Sequence, residues 1–139
     1  MRLNYRRVVG AGVMGTLVMT AIGVWMAPMM GLPRMNPAEM LASKMGGVAT
    51  LGWIGHLMIG SMLALIYAAF AASRLPGPAP VRGALFSIAP WLLAQTVVMP
   101  MMGMPLFSGS IPLAMGSLVG HLAYGAVVGG MIGDAVSSA

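Results

Sequence analysis

Charge is so sparse in this chain that it divides the sequence into three uncharged runs, Val8–Pro33, Met45–Ser73 and Gly83–Gly133. A helix that crosses a bilayer needs ~20 consecutive apolar residues. The first two runs each hold one such span. The third holds two, separated by the turn-forming stretch Gly103-Met104-Pro105-Leu106-Phe107-Ser108-Gly109-Ser110-Ile111-Pro112, in which Gly and Pro cluster. The sequence therefore predicts four transmembrane helices at 8–31, 48–72, 83–102 and 112–133. Only 6% of the 139 residues are charged and 59% are hydrophobic, whereas a soluble domain carries about a quarter of its residues as charge. The expectation is one all-α membrane domain over 1–139, a four-transmembrane-helix bundle with membrane lipid as its main solvent.

The basic residues report topology. Arg2, Arg6, Arg7, Arg74 and Arg82 fall on one side of the predicted spans, and Arg34 and Lys44 on the other, where Glu39 offsets Lys44. By the positive-inside rule the richer side is cytoplasmic. Both termini are then expected to face the cytoplasm from a multi-pass position in the cytoplasmic (inner) membrane. A pI near 10.9 in a soluble protein would suggest nucleic acid. Here the bases sit at helix ends without interleaved aromatics, so no nucleic-acid partner is expected. The basic N-terminus leads into an apolar run too long for a signal-peptide core, which reads as an uncleaved first span. Cysteine is absent, which removes disulfides, thiolate catalysis and Cys-ligated metals.

The first outer loop has its own signal. Asn36-Pro37-Ala38-Glu39 places an N-cap residue before Pro at the first helical position, and Gly46-Gly47 supplies a stop. A short interfacial helix is expected at 37–45, with Met40, Leu41 and Met45 on its apolar face.

The two halves of the chain echo each other. Pro28-Met29-Met30-Gly31-Leu32-Pro33 matches Pro100-Met101-Met102-Gly103-Met104-Pro105, and Gly55-His56-Leu57 with Gly60 matches Gly120-His121-Leu122 with Gly125. Two parallel-repeat helical hairpins, 8–72 and 83–133, are expected about a pseudo-twofold axis along the membrane normal. Glycines at Gly12, Gly15, Gly23, Gly52, Gly55, Gly60, Gly116, Gly120, Gly125, Gly129 and Gly133 predict close backbone packing. Small residues do this work in lipid, where apolar side chains gain nothing by leaving their solvent. A tight bundle of this kind disfavours a transport pore.

His56 and His121 are the candidate site residues, since an ionisable group inside a span is a functional signal by default. Facing each other, they would suit a b-type haem as axial ligands. Together with Met29, Met30, Met101 or Met102 they would suit copper, which takes imidazole and thioether. The alternative is that each imidazole bonds across to a neighbour, with Thr16, Thr20, Gln95 and Thr96 as candidates, and simply pins helices together. Methionine is an adaptable filler, so the two Pro-Met-Met-Gly corners equally suit packing against a partner. Both acids, Glu39 and Asp134, fall outside the predicted spans, so no buried carboxylate dyad or Ser-His-Asp set can form, and no enzyme activity is expected.

These motifs, with Gly12-x-x-x-Thr16-x-x-Met19-Thr20, Leu32-Pro33-Arg34-Met35-Asn36-Pro37-Ala38-Glu39, Tyr67-Ala68, Arg82-Gly83-Ala84-Leu85-Phe86 and His121-Leu122-x-Tyr124-Gly125, resemble small four-span bacterial and archaeal membrane proteins grouped as a domain of unknown function. The resemblance covers nearly the whole chain. It implies the four-span topology and marks both histidines as family features, without implying an activity. The function expected is a non-catalytic accessory or assembly subunit of a larger membrane complex, a respiratory one among the candidates, partnered by a membrane protein or by copies of itself. Its rival is a small haem- or copper-binding carrier built on His56 and His121.

Overall fold

The computed structural model describes residues 4–133, so Arg2 and Asp134, which entered the charge argument, lie outside the described residues. Four helices are long and apolar enough to cross a membrane: α1 (Tyr5–Met29), α3 (Ala49–Ala71), α4 (Ala79–Met101) and α5 (Ile111–Ile132). A short helix α2 (Pro37–Lys44) joins α1 to α3. No strand occurs among the described residues. The chain starts α1 and ends α5 at one end of the bundle, the terminal end. Both Pro-Met-Met-Gly motifs lie at the other, the corner end.

Local chemistry sets the boundaries. Asn4 caps α1 by accepting from Arg7 N–H, and Ser110 caps α5 by accepting from Leu113 N–H. In α2, the Asn36 Oδ1 accepts from the amides of Ala38 and Glu39, with Pro37 at the first position. The stop follows as Gly47 N–H bonds the Ala42 carbonyl at 2.8 Å. α4 starts earlier than its uncharged run suggests, because Ala79 and Pro80 occupy its first turn. Proline has no N–H to lose there.

The two corners are built alike. Ala27 N–H skips to the Ile22 carbonyl and Met99 N–H to the Ala94 carbonyl, so a π turn occupies Ile22–Met26 and Ala94–Val98, each ending two residues before its proline. Beyond the proline, Leu32 N–H bonds Ala27 and Met104 N–H bonds Met99, both at 3.0 Å. Gly31 (φ 78°) and Gly103 (φ 84°) take the left-handed position that closes a helix in this manner. A third π turn, Tyr67–Ala71, has no proline beside it, and nothing in its local sequence explains it.

The π turn in α1 has a consequence for the loop that follows. The Gly23 carbonyl would be offered to residue 28, but Pro28 has no N–H. The returning chain supplies the missing donor, as Met35 N–H bonds Gly23 O at 2.9 Å. A Cβ at Gly23 would strike the Met35 carbonyl, so glycine is required for this approach.

α3 packs on α1, α1 on α5, and α5 on α4, while α2 lies along α3. The glycines mark the crossings. Cβ atoms added at Gly83 and Gly125 would each strike the other's carbonyl, and one at Gly129 would strike the Ala79 carbonyl. On the other side of the bundle Gly12 lies against Gly60 and Ser61. α2 meets α3 at Gly52, where Ala38 and Ala42 leave no room for a side chain. The buried face of α2 therefore runs through those two alanines. Met40 and Leu41 are only half-buried and Met45 is exposed, unlike the face expected from the sequence, because only a methyl fits against a helix backbone this close.

The apolar core gathers Val8, Ala11, Ala64, Tyr67, Ala68, Ala72, Tyr124, Val128 and Ile132. All come from α1, the α3 region and α5, and all lie towards the terminal end. α4 is the least buried span. It meets the end of α3 where Tyr67 stacks obliquely on Phe86, ring centroids 5.4 Å apart.

Candidate functional site

Buried Thr20, His56 and Gln95 occupy the corner-end half of the bundle, above the apolar core, while Arg82 and Ser87 are buried nearer the terminal end of α4. On α1 a ladder of hydroxyls begins with Thr16 Oγ1–H on the Gly12 carbonyl at 2.7 Å and continues with Thr20 Oγ1–H on the Thr16 carbonyl at 2.8 Å. His56, about two turns into α3, reaches across with Nε2 3.0 Å from Thr20 Oγ1. A threonine hydroxyl has one proton, and Thr20 has already donated it. His56 must therefore donate from Nε2–H, which leaves Nδ1 as a bare lone pair.

His121, nearly three turns into α5, behaves differently. Its ring folds back along its own helix, with Nδ1 2.8 Å from the Ser117 carbonyl. A carbonyl can only accept, so the proton sits on Nδ1 and the bare lone pair is Nε2. The two histidines share a sequence motif yet adopt opposite tautomers. One turn towards the core from both, the Tyr124 hydroxyl donates to the Gly60 carbonyl at 2.6 Å. Gly60 follows His56 by four positions and Tyr124 follows His121 by three, on helices that run in the same direction. This crossing sets the imidazoles at similar depth.

The remaining polar residues do not bond to either ring as the sequence suggested. Gln95, fully buried on α4, donates from Nε2 to Ser117 Oγ at 3.2 Å and accepts from Ser108 Oγ–H at 2.9 Å through Oε1. It ties the second corner loop to α5. Thr96 is exposed and returns its hydroxyl to the Leu92 carbonyl of its own helix. Ser117 and Ser108 were not singled out from sequence; lone serines carry no signal until the helix rotations that align them are known. Trp91 adds a further support for the loop, donating from Nε1 to the Ala114 carbonyl at 3.1 Å and stacking on Phe107.

The methionines stand apart from the histidines. Met29, Met30 and Met101 are 86%, 70% and 78% exposed at the corners, and Met102 is half-buried. Among the described residues no group of three or more His, Cys, Asp or Glu side chains gathers to hold a metal. A notch of ≈ 40 Å³ lies between α1 and α5 under the first corner loop, lined by Met19, Gly23, Met35, Ser117 and Gly120 among others. It is of the scale of a water or two and far below that of a porphyrin. A haem does not fit these residues as they are packed.

Outside the spans, Arg34 grips Glu39 with both guanidinium nitrogens, at 2.7 and 2.8 Å. The hydrogen bond and charge of Arg34 hold the Glu39 carboxyl below the ordinary glutamate range. The acid at the start of α2 thus pairs with Arg34, on the same side of the bundle as Lys44. Glu39 lies in the first turn of α2 and Lys44 in its last, where each also complements the helix dipole.

Fold and site together define a class: small all-helical membrane proteins of four apolar spans with a few polar side chains buried between them. The chain belongs to DUF6789, a family of unknown function, which matches it over residues 4–138. No curated protein and no solved structure matches it.

Proposed function

We propose that this protein is a non-catalytic integral membrane subunit that docks through its two corners against a larger membrane protein. In this reading it sits in the cytoplasmic membrane with both termini inside and the corners outside. The observation that carries it is the matched pair of corners, each presenting methionine side chains that the chain itself leaves uncovered. Met29, Met30 and Met101 are among its most exposed apolar residues, held on rigid, hydrogen-bonded turns. Flexible thioether side chains on a fixed frame suit an adaptable contact.

The same corners support the two-hairpin reading. The π turn, proline, hydrogen bonds and left-handed glycine recur in order in both halves, and a glycine crossing joins the helices of each. A pseudo-twofold axis along the membrane normal relates such hairpins. The placement of Arg6, Arg7, Arg74 and Arg82 at the terminal end supports a cytoplasmic terminal side.

Photo-crosslinking residues placed at Met29 and Met101, with Met58 on the lipid-facing wall as the comparison, test the docking role. Capture of one and the same membrane protein from both corners and not from position 58 is the expected result. Recovery of uncrosslinked monomer from all three positions in native membranes removes the proposal. Because the chain has no cysteine, single cysteines at Lys44 and Ser73 give the orientation directly: an impermeant maleimide should label the first from outside the cell and not the second.

A further inference from the structure

We propose that a water molecule is bound on the main-chain carbonyl of Gln95, doing at the second corner what Met35 N–H does at the first. The two π turns set up the same problem. In each, the second residue, Gly23 or Gln95, offers its carbonyl to a proline, Pro28 or Pro100, that has no N–H. At the first corner the returning chain answers, with Met35 N–H on Gly23 O at 2.9 Å. The second corner has no counterpart. The π register gives Val98 N–H to Leu93 and Met99 N–H to Ala94. Among the described residues no amide or hydroxyl from outside the helix bonds Gln95 O. The Ser108 hydroxyl, on the loop that returns here, is spent on the side-chain Oε1 of Gln95 instead.

An acceptor without a donor is costly at this depth, since lipid offers no hydrogen bond. Prolines persist in membrane helices where an ordered water or a neighbouring group takes up the freed carbonyl. Size selects the water. Gln95 is 2% exposed, which closes its carbonyl to a lipid head group or a partner's side chain. A water so placed needs further polar contacts, and the Ser117 hydroxyl supplies one within the length of the Gln95 side chain. Its oxygen accepts from Gln95 Nε2 at 3.2 Å, and its own proton has no acceptor among the described residues. Ser117 also borders the notch of ≈ 40 Å³, so water has room beside that hydroxyl. The bound water accepts from Ser117 and donates to Gln95 O. The second corner is then closed by solvent where the first is closed by protein, whether or not the corners dock.

Gln95 is the only glutamine in the chain, so glutamine carrying carbon-13 at its main-chain carbonyl marks this one group in the full protein in hydrated bilayers. Two readings are taken: polarisation transfer from water protons to the label by solid-state NMR, and the carbonyl stretching frequency in the infrared. Wild type should show prompt transfer from water and the lowered frequency of a hydrogen-bonded carbonyl. In Pro100→Ala the new amide should take the carbonyl, so the frequency stays low while the transfer from water is lost. A free-carbonyl frequency in wild type overturns the proposal. So does a bonded frequency without transfer from water, which would report a donor from protein or lipid. Transfer that persists undiminished in Pro100→Ala overturns it as well. The first two outcomes are read on wild type alone and do not depend on how the variant folds.

Discussion

The Nε2 atom of His56 donates to the Oγ1 of Thr20 across 3.0 Å, because the Thr20 proton is spent on the Thr16 carbonyl and leaves its oxygen lone pairs to accept. The bond joins α3 to α1 where water is scarce. Its direction is fixed by counting protons, and several expectations follow from that count and from its neighbours.

The tautomers should be opposite in the two rings. Nitrogen-15 spectra of histidine-labelled protein are expected to show His56 protonated on Nε2 and His121 on Nδ1, with His56→Gln and His121→Gln assigning the signals. Two rings of the same tautomer would mean that one of these bonds is drawn the wrong way.

Removing the acceptor should cost stability out of proportion to the atoms lost. Thr20→Val keeps the shape of the side chain but leaves the buried His56 N–H without a partner. A loss of about 1 kcal/mol is expected, the scale of interhelical hydrogen bonds in membrane proteins, measured by reversible unfolding in mixed micelles. Thr96→Val, whose hydroxyl only returns to its own helix on the lipid side, should change stability far less.

Glycines on this bundle should divide sharply into two kinds. Gly125→Ala drives a methyl into the Gly83 carbonyl, and backbone cannot yield as a flexible side chain would. Separation of α4 from α5 and a loss of about 1–3 kcal/mol are expected. Gly10 in α1 has open space around its α-carbon, so Gly10→Ala should be neutral or stabilising by up to ~1 kcal/mol through helix propensity. Thermal unfolding of the two variants side by side gives the comparison.

Restoring an amide at the first corner should free the loop behind it. In Pro28→Ala the new N–H can serve the Gly23 carbonyl, displacing Met35. Hydrogen exchange at the Met35 amide is expected to quicken while the α1 ladder regularises. Unchanged protection of Met35 would show that side-chain packing, not the freed carbonyl, holds the loop.

The contact between Arg34 and Glu39 carries a pH signature. Because the folded carboxyl titrates below its unfolded value, its contribution is complete above the ordinary glutamate pKa and disappears as pH falls through the depressed one. Both side chains are exposed, so the effect on stability is small. Carbon-13 titration of Glu39 should return to the ordinary glutamate range in Arg34→Ala.

The spans were legible because lipid imposes a simple rule on composition, and every predicted helix is found within a few residues of its expected ends. The capped α2 and the break before Ile111 were legible for a different reason. Asn-Pro, Gly-Gly and Pro-Gly clusters act on the backbone locally, without reference to the rest of the fold. What could not be read was anything that depends on helix rotation. Thr20 and Gln95 were both candidate partners for the histidines, yet one faces His56 and the other holds a loop. The π turns rotate everything beyond them by an amount that sequence spacing at 3.6 residues per turn does not contain. His121 escaped for a simpler reason, since its partner is a backbone carbonyl and carbonyls leave no mark in a sequence.

Tyr124 belongs to the fourth span, yet its ring lies against Gly15 of the first and its hydroxyl on Gly60 of the second span. With Val128 and Ile132 it completes a core to which α4 contributes only Phe86, at its margin. Until α5 has been made, the first two spans therefore have an unfilled groove between them, and a nascent chain halted before Ile111 has nothing to put there.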